Sequence, residues 1–232
     1  MKNRFPFFIL DYWYNIEMST PTVKNDISGR TDISGLIEAS TCKKWLKPIS
    51  MEETVPIDDY EDKHLFVEFC DIVLDNDIAM KGKKEGAKTR QTVIKCEPIV
   101  PIDEFNKKNV EDIYLFVING RIVKIGGTRV GWKDRFGSYL CGHHIPERGG
   151  SRDCSKTNGF IYNTLEFYLQ LGCSVKVFVY RLPRAVIIRE ICGQTVEIIA
   201  QTYHAYESVL MSRFTKKYGF LPILCDNADP SY

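Results

Sequence analysis

The chain has 232 residues, enough to bury one sizeable core without disulfide staples. Its 31 Lys and Arg against 30 Asp and Glu leave a formal charge of +1, so bulk composition does not announce nucleic acid, and no run is long enough to cross a bilayer. Eight cysteines at irregular spacing are not a small secreted scaffold, and the apolar opening is broken by Pro6 and Asp11 without a small-residue cleavage site, so the expectation is a reducing, cytoplasmic protein.

Residues 1–30 show little periodicity and read as extended. Residues 31–46 and 60–75 have helical spacing, the second with an apolar stripe of Leu65, Phe66, Phe69, Ile72 and Val73. Between them residues 52–62 are acidic. Residues 76–110 read as loop with a short strand at 91–95. Residues 81–95 carry Lys81, Lys83, Lys84, Lys88, Arg90 and Lys95 against only Glu85. A basic, glycine-containing stretch of this kind suits a phosphate backbone, although a solvated loop has the same composition.

After residue 110 the pattern tightens. Ile113–Ile118 and Arg121–Gly126 are two apolar strands joined by Asn119-Gly120, the strongest short hairpin signal. Residues 131–140 have Trp132, Phe136 and Tyr139 at helical spacing, and Arg135 and Tyr139, four apart, share a face. A polar basic loop at 141–157 precedes a helix at 158–170 that ends at Gly172. Val175, Val177 and Val179 alternate along a strand at 174–181. Apolar runs at 185–191 and 195–200 flank Gly193 as a second hairpin. A helix at 202–217 carries Glu207 and stops before Gly219 and Pro222. The order predicts an α+β fold: a small antiparallel sheet flanked by helices over residues 110–232, with a helical and loop elaboration over 1–109.

Phosphodiester hydrolysis needs a nucleophile, a group that takes its proton, and positive charge on the developing oxyanion; a carboxylate must hold any divalent ion that supplies part of that charge. Tyr114, Lys124, Arg135, Tyr139 and Glu207 are candidates for these parts. Each alone is an ordinary core or surface residue. Cys141, His143, His144 and Cys154 match no standard zinc spacing.

The joint order of these residues resembles the GIY-YIG nuclease family, and most closely its type II restriction endonuclease branch. Ile113-Tyr114 matches the first motif, with Asp112 where many members have glycine. Lys124-Ile125-Gly126 matches the second, with lysine in place of tyrosine as in that branch. Arg135 and Tyr139 lie within Arg-Phe-Gly-Ser-Tyr-Leu-Cys-Gly, and Cys154–Asn158 and the surroundings of Glu207 also match. The likeness covers about residues 110–225. One departure is Gly127-Thr128, where the branch tends to carry a histidine after the second motif.

The resemblance implies a metal-dependent endonuclease for double-stranded DNA. Tyr114 would be the general base, with Lys124 lowering its pKa from the usual value of about 10. Arg135 would stabilise the scissile phosphate, Tyr139 would hydrogen-bond it or the water, and Glu207 would hold one Mg²⁺ or Mn²⁺. Arg129, Lys133, Arg148, Arg152 and Lys156 would join Lys81, Lys83, Lys84, Lys88 and Arg90 in contacting phosphates. A homodimer would place one site on each strand, with residues 81–95 and the segment before 110 serving dimerisation and sequence reading. The alternatives are a phage, mobile-element or repair endonuclease of the same family, or a DNA-binding module without catalysis. The short run after Glu207 argues against a homing enzyme with an appended module.

Overall fold

A computed structural model of the chain describes residues 25–46, 48–75, 92–144 and 155–225. Its centre is the hairpin of β4 (Asp112–Ile118) and β5 (Arg121–Thr128). Asn119 and Gly120 both have positive φ, 47° and 75°, the conformation a two-residue turn needs to match the twist of its strands. Asn119 also braces the turn from its side chain. Its amide donates to the Ile27 carbonyl at 3.0 Å, and its Oδ1 accepts from the Ser174 N–H at 2.9 Å.

The hairpin lies inside a six-stranded antiparallel sheet in the order β1-β5-β4-β6-β2-β3. The remaining strands are β1 (Val55–Pro56), β2 (Val67–Leu74), β3 (Ile94–Pro98) and β6 (Val175–Arg181). The sheet therefore draws strands from both sides of residue 110. β4 is flanked by strands on both edges and covered on both faces, so all seven of its residues are buried. Tyr114, Phe116 and Ile118 face one layer, which holds α1 (Ile33–Ala39), α3 (Trp132–Leu140) and α4 (Lys156–Gln170). Ile113, Leu115 and Val117 face the other, built from α5 (Tyr203–Tyr218) and the 3-10 turns around Tyr60. A short α2 (Ile102–Phe105) leads into β4.

From β4 onward the order β-β-α-α-β-(ββ)-α follows the sequence pattern. The helix expected over 60–75 is instead a 3-10 turn, Glu61–Leu65, followed by strand β2. A register shift between Glu68 and Cys70 explains the misleading stripe. The bulge advances the alternation by one residue, so Phe69, Cys70 and Ile72 all reach the core, and a period-2 strand imitates helical spacing. The strand expected at 91–95 is β3, three residues later, and the helix expected over 31–46 is α1 followed by a 3-10 turn at Lys43–Trp45.

The second hairpin, β7 (Ala185–Ile191) and β8 (Gln194–Ala200), forms its own two-stranded sheet. Among the described residues no helix of the chain is long and apolar enough to cross a membrane.

Candidate active site

Tyr114 points from the middle of β4 toward α3, where Arg135 and Tyr139 stand one helical turn apart. The Tyr114 and Tyr139 hydroxyls are 2.5 Å from each other. Arg135 binds both, Nε donating to Tyr114 at 3.2 Å and Nη2 to Tyr139 at 3.0 Å. Its guanidinium also lies 4.5 Å from the Tyr139 ring centroid. The two phenols hold two protons between them, and only one can bridge the pair. The second is left for a ligand oxygen, because the guanidinium can only donate.

Two glycines on β5 make the room. Gly126 is the cross-strand partner of Tyr114, and a Cβ there would lie 2.5 Å from the Tyr114 Cζ and hydroxyl oxygen. The phenol therefore lies directly on backbone. At Gly127, on the opposite face, a Cβ would come within 2.7 Å of both Glu207 Oε2 and the Tyr203 ring. A side chain at residue 127 would therefore press on the Glu207 carboxylate and the Tyr203 ring of α5.

Lys124 is 6% exposed, and its Nζ donates to the Leu224 carbonyl at 3.2 Å. Residues 223–225 form a strap along the open edge of β5. The Leu224 N–H donates to the Val123 carbonyl at 2.8 Å, and the Ile125 N–H donates to Cys225 Sγ at 3.2 Å. The ammonium so held favours ionisation of both Tyr114 and Glu207.

The electrostatics correct one expectation. Tyr114 is fully buried, and desolvation pushes its phenol above the ordinary range; Lys124 and Arg135 pull it down but do not win. Tyr139 is likewise raised by burial. Glu207, half-buried, is raised by desolvation, against the opposing pull of Lys124, Arg135 and the Gly127 N–H. All three favour the carboxylate, but burial outweighs them.

That donor set bears on a metal. Among the described residues no three His, Cys, Asp or Glu side chains stand together, so no all-protein cage is present there. A single carboxylate fits Mg²⁺, which keeps several waters and shares its shell with substrate phosphates. Cys141 donates its thiol to the Ser138 carbonyl, and Cys154 lies outside the described residues.

Tyr114, Lys124, Arg135, Tyr139 and Glu207 are thus brought together. Arg129 is exposed just after β5, and Lys133 is exposed on the first turn of α3. Lys133 Nζ donates to Asn106 Oδ1 at 2.8 Å. Lys156 is exposed at the start of α4. Lys81, Lys83, Lys84, Lys88, Arg90, Arg148 and Arg152 lie outside the described residues. Asp112 is fully buried, and burial pushes its carboxyl up to about 7. Its Oδ1 accepts from Arg181 Nε, its cross-strand neighbour, at 3.0 Å, so this departure from glycine forms an internal ion pair.

Sequence reasoning missed the strap, Trp132 and His204. Trp132, fully buried, holds the Tyr114 ring at a centroid distance of 5.1 Å. The helical spacing of residue 204 to Glu207 was available as a signal; the strap had none.

No family model and no curated protein sequence matches the chain. Among the solved structures similar to it are two DNA-processing enzymes named as endonucleases. A structure of the restriction endonuclease HPY188I in complex with product DNA is 28% identical, over 76% of this chain and 89% of that one, with a TM-score of 0.43. A mutant of bacteriophage T4 EndoII is 18% identical, over 69% of this chain and 95% of that one, with a TM-score of 0.41.

Proposed function

We propose that this chain is a metal-dependent GIY-YIG endonuclease that hydrolyses double-stranded DNA, acting as a homodimeric type II restriction enzyme. The observation that carries the reading is the hydrogen-bonded set Tyr114, Tyr139 and Arg135, with Lys124 and Glu207 electrostatically coupled to it. Five residues spread over some ninety positions, in the order that the family resemblance implies, meet around one β-hairpin.

In this reading Arg135 binds a nonbridging oxygen of the scissile phosphate and stabilises the charge that develops there. Tyr114, as tyrosinate, takes the proton of the attacking water. Arg135 and Tyr139 donate to its oxygen, and Lys124 lowers the cost of its charge. Tyr139 keeps the Tyr114 oxygen oriented. Glu207 would hold a Mg²⁺ or Mn²⁺ ion, whose charge supplies further stabilisation to the phosphate oxygens. Arg129, Lys133 and Lys156 would contact the flanking backbone, together with the basic residues at 81–90, 148 and 152. The segments before residue 110 would contribute to reading the sequence.

The test is digestion of a sequenced plasmid with and without Mg²⁺, followed by end mapping. Discrete fragments that need the ion are expected. Glu207→Ala should abolish cleavage while DNA binding persists, since phosphate contacts supply most of the affinity. Mg²⁺ should raise the melting temperature of the wild type but not of the variant. Binding without cleavage under any metal would instead mark a DNA-binding module.

A further inference from the structure

The Cys225 thiol meets both backbone groups of one residue of β5. The Ile125 N–H donates to its sulfur at 3.2 Å, and the thiol donates to the Ile125 carbonyl at 3.0 Å. A side chain here does what a paired strand would do for the edge of β5. Only the neutral thiol can accept and donate at once, and burial keeps it neutral by pushing its pKa up. The Cys225 N–H in turn donates to the Pro222 carbonyl at 2.7 Å, which closes a turn around Ile223 and Leu224.

That turn aims the Leu224 carbonyl at Lys124. Leu224 is buried, its N–H is engaged by the Val123 carbonyl at 2.8 Å, and its own carbonyl accepts from the Lys124 ammonium at 3.2 Å. Leu224 packs in the core on the Tyr114 face, and Cys225 packs against the core beneath α5, so the strap joins the two layers. Its backbone and thiol bonds flank Lys124 along β5, at Val123 before it and Ile125 after it. The ammonium between them acts on both Tyr114 and Glu207. The other titratable or charged groups around this pair are Arg135 and Tyr139 of α3 and His204 of α5. A lysine stem is flexible, so the carbonyl that receives its ammonium decides where the charge stands.

We propose that Cys225 is a positioning residue: its thiol anchors the strap whose carbonyl fixes the Lys124 ammonium beside Tyr114 and Glu207. The thiol takes no part in the chemistry. Its effect on rate rests on the nuclease reading; its hold on Lys124 does not.

Competitive acylation of the full chain with acetic anhydride, read lysine by lysine by peptide mass spectrometry, tests that hold. In Cys225→Ala, Lys124 should acylate at least about tenfold faster than in the wild type, with Lys133 and the far-UV spectrum unchanged. Cys225→Ser, which still donates and accepts, should keep Lys124 within about threefold of wild type. Unchanged Lys124 labelling in Cys225→Ala, or a rise shared by Lys133, would overturn the proposal. Single-turnover cleavage across pH tests the consequence. Cys225→Ala should displace the rise of rate with pH by about one unit to alkaline, about tenfold at fixed pH, and should lose nothing further when Lys124 is already methionine. Independent, additive losses would overturn a role through Lys124. A chain that cuts no DNA yet shows the Lys124 labelling change would defeat the nuclease reading and support the anchoring by Cys225.

Discussion

The β4–β5 and β7–β8 hairpins turn through the same backbone geometry. Asn119 and Gly120 have φ of 47° and 75°; Cys192 and Gly193 have 52° and 78°. The strands they join are seven or eight residues long, yet β4 is wholly buried and β7 is exposed from Val186 onward. The turn sets register in both. What differs is the company: β4 has a strand on each edge and helices on each face, whereas β7 and β8 have only each other. Burial turns the first hairpin into a rigid platform on which a phenol can be fixed against backbone. Exposure leaves the second free to be covered by another molecule.

The largest expected effect breaks the buried hairpin chemically while sparing its packing. Tyr114→Phe removes the hydroxyl and keeps the ring beside Trp132. Single-turnover cleavage should fall by about 10²–10⁴, the usual contribution of a positioned general base, with the melting temperature preserved. Cleavage at wild-type rate would make Tyr114 a core tyrosine. Next is the space beneath it. Gly126→Ala inserts a methyl group 2.5 Å from the phenol, so the ring or the strand must move. Overpacking of this kind costs about 1–3 kcal/mol, read as a lower denaturant midpoint, and it should also cost cleavage because the Tyr114–Tyr139 contact is displaced.

A third comparison is one of charge. Tyr114 is held above the ordinary phenol range, so the tyrosinate fraction, and with it the rate, should climb through neutral pH without a plateau below about 10. Lys124→Met removes a cation that favours the ionised form, so the profile should move alkaline and the rate at fixed pH should drop. A plateau near neutrality would identify another base. The smallest effect lies in the exposed hairpin. Cys192 has a left-handed φ that asparagine adopts more readily, so Cys192→Asn should stabilise the ribbon by less than about 1 kcal/mol. Slower amide exchange in β7 and β8 is the measurement, with no change in the β4–β5 hairpin.

Much of the site was legible because its determinants are local. Asn119-Gly120 dictates a hairpin, and spacing alone sets Arg135 and Tyr139 on one face of α3. Assembly of α5 over β5 was implied only by the family resemblance; its physical reason, bare backbone at Gly127, needs three dimensions. β2 was misread because its bulge at Glu68 and Cys70 disrupts the period on which strand recognition depends. β1, two residues long, carries no periodicity at all. The direction of the Tyr114 shift was not legible either: sequence shows which charges are near in order, but not that burial outweighs them.

The strap at residues 223–225 also sets a kinetic condition. The Ile125 amide faces Cys225, so its hydrogen exchanges with solvent only when that segment lifts away, and the same opening removes the carbonyl that holds the Lys124 ammonium. Protection of this one amide therefore measures how long the charge beside Tyr114 stays in place.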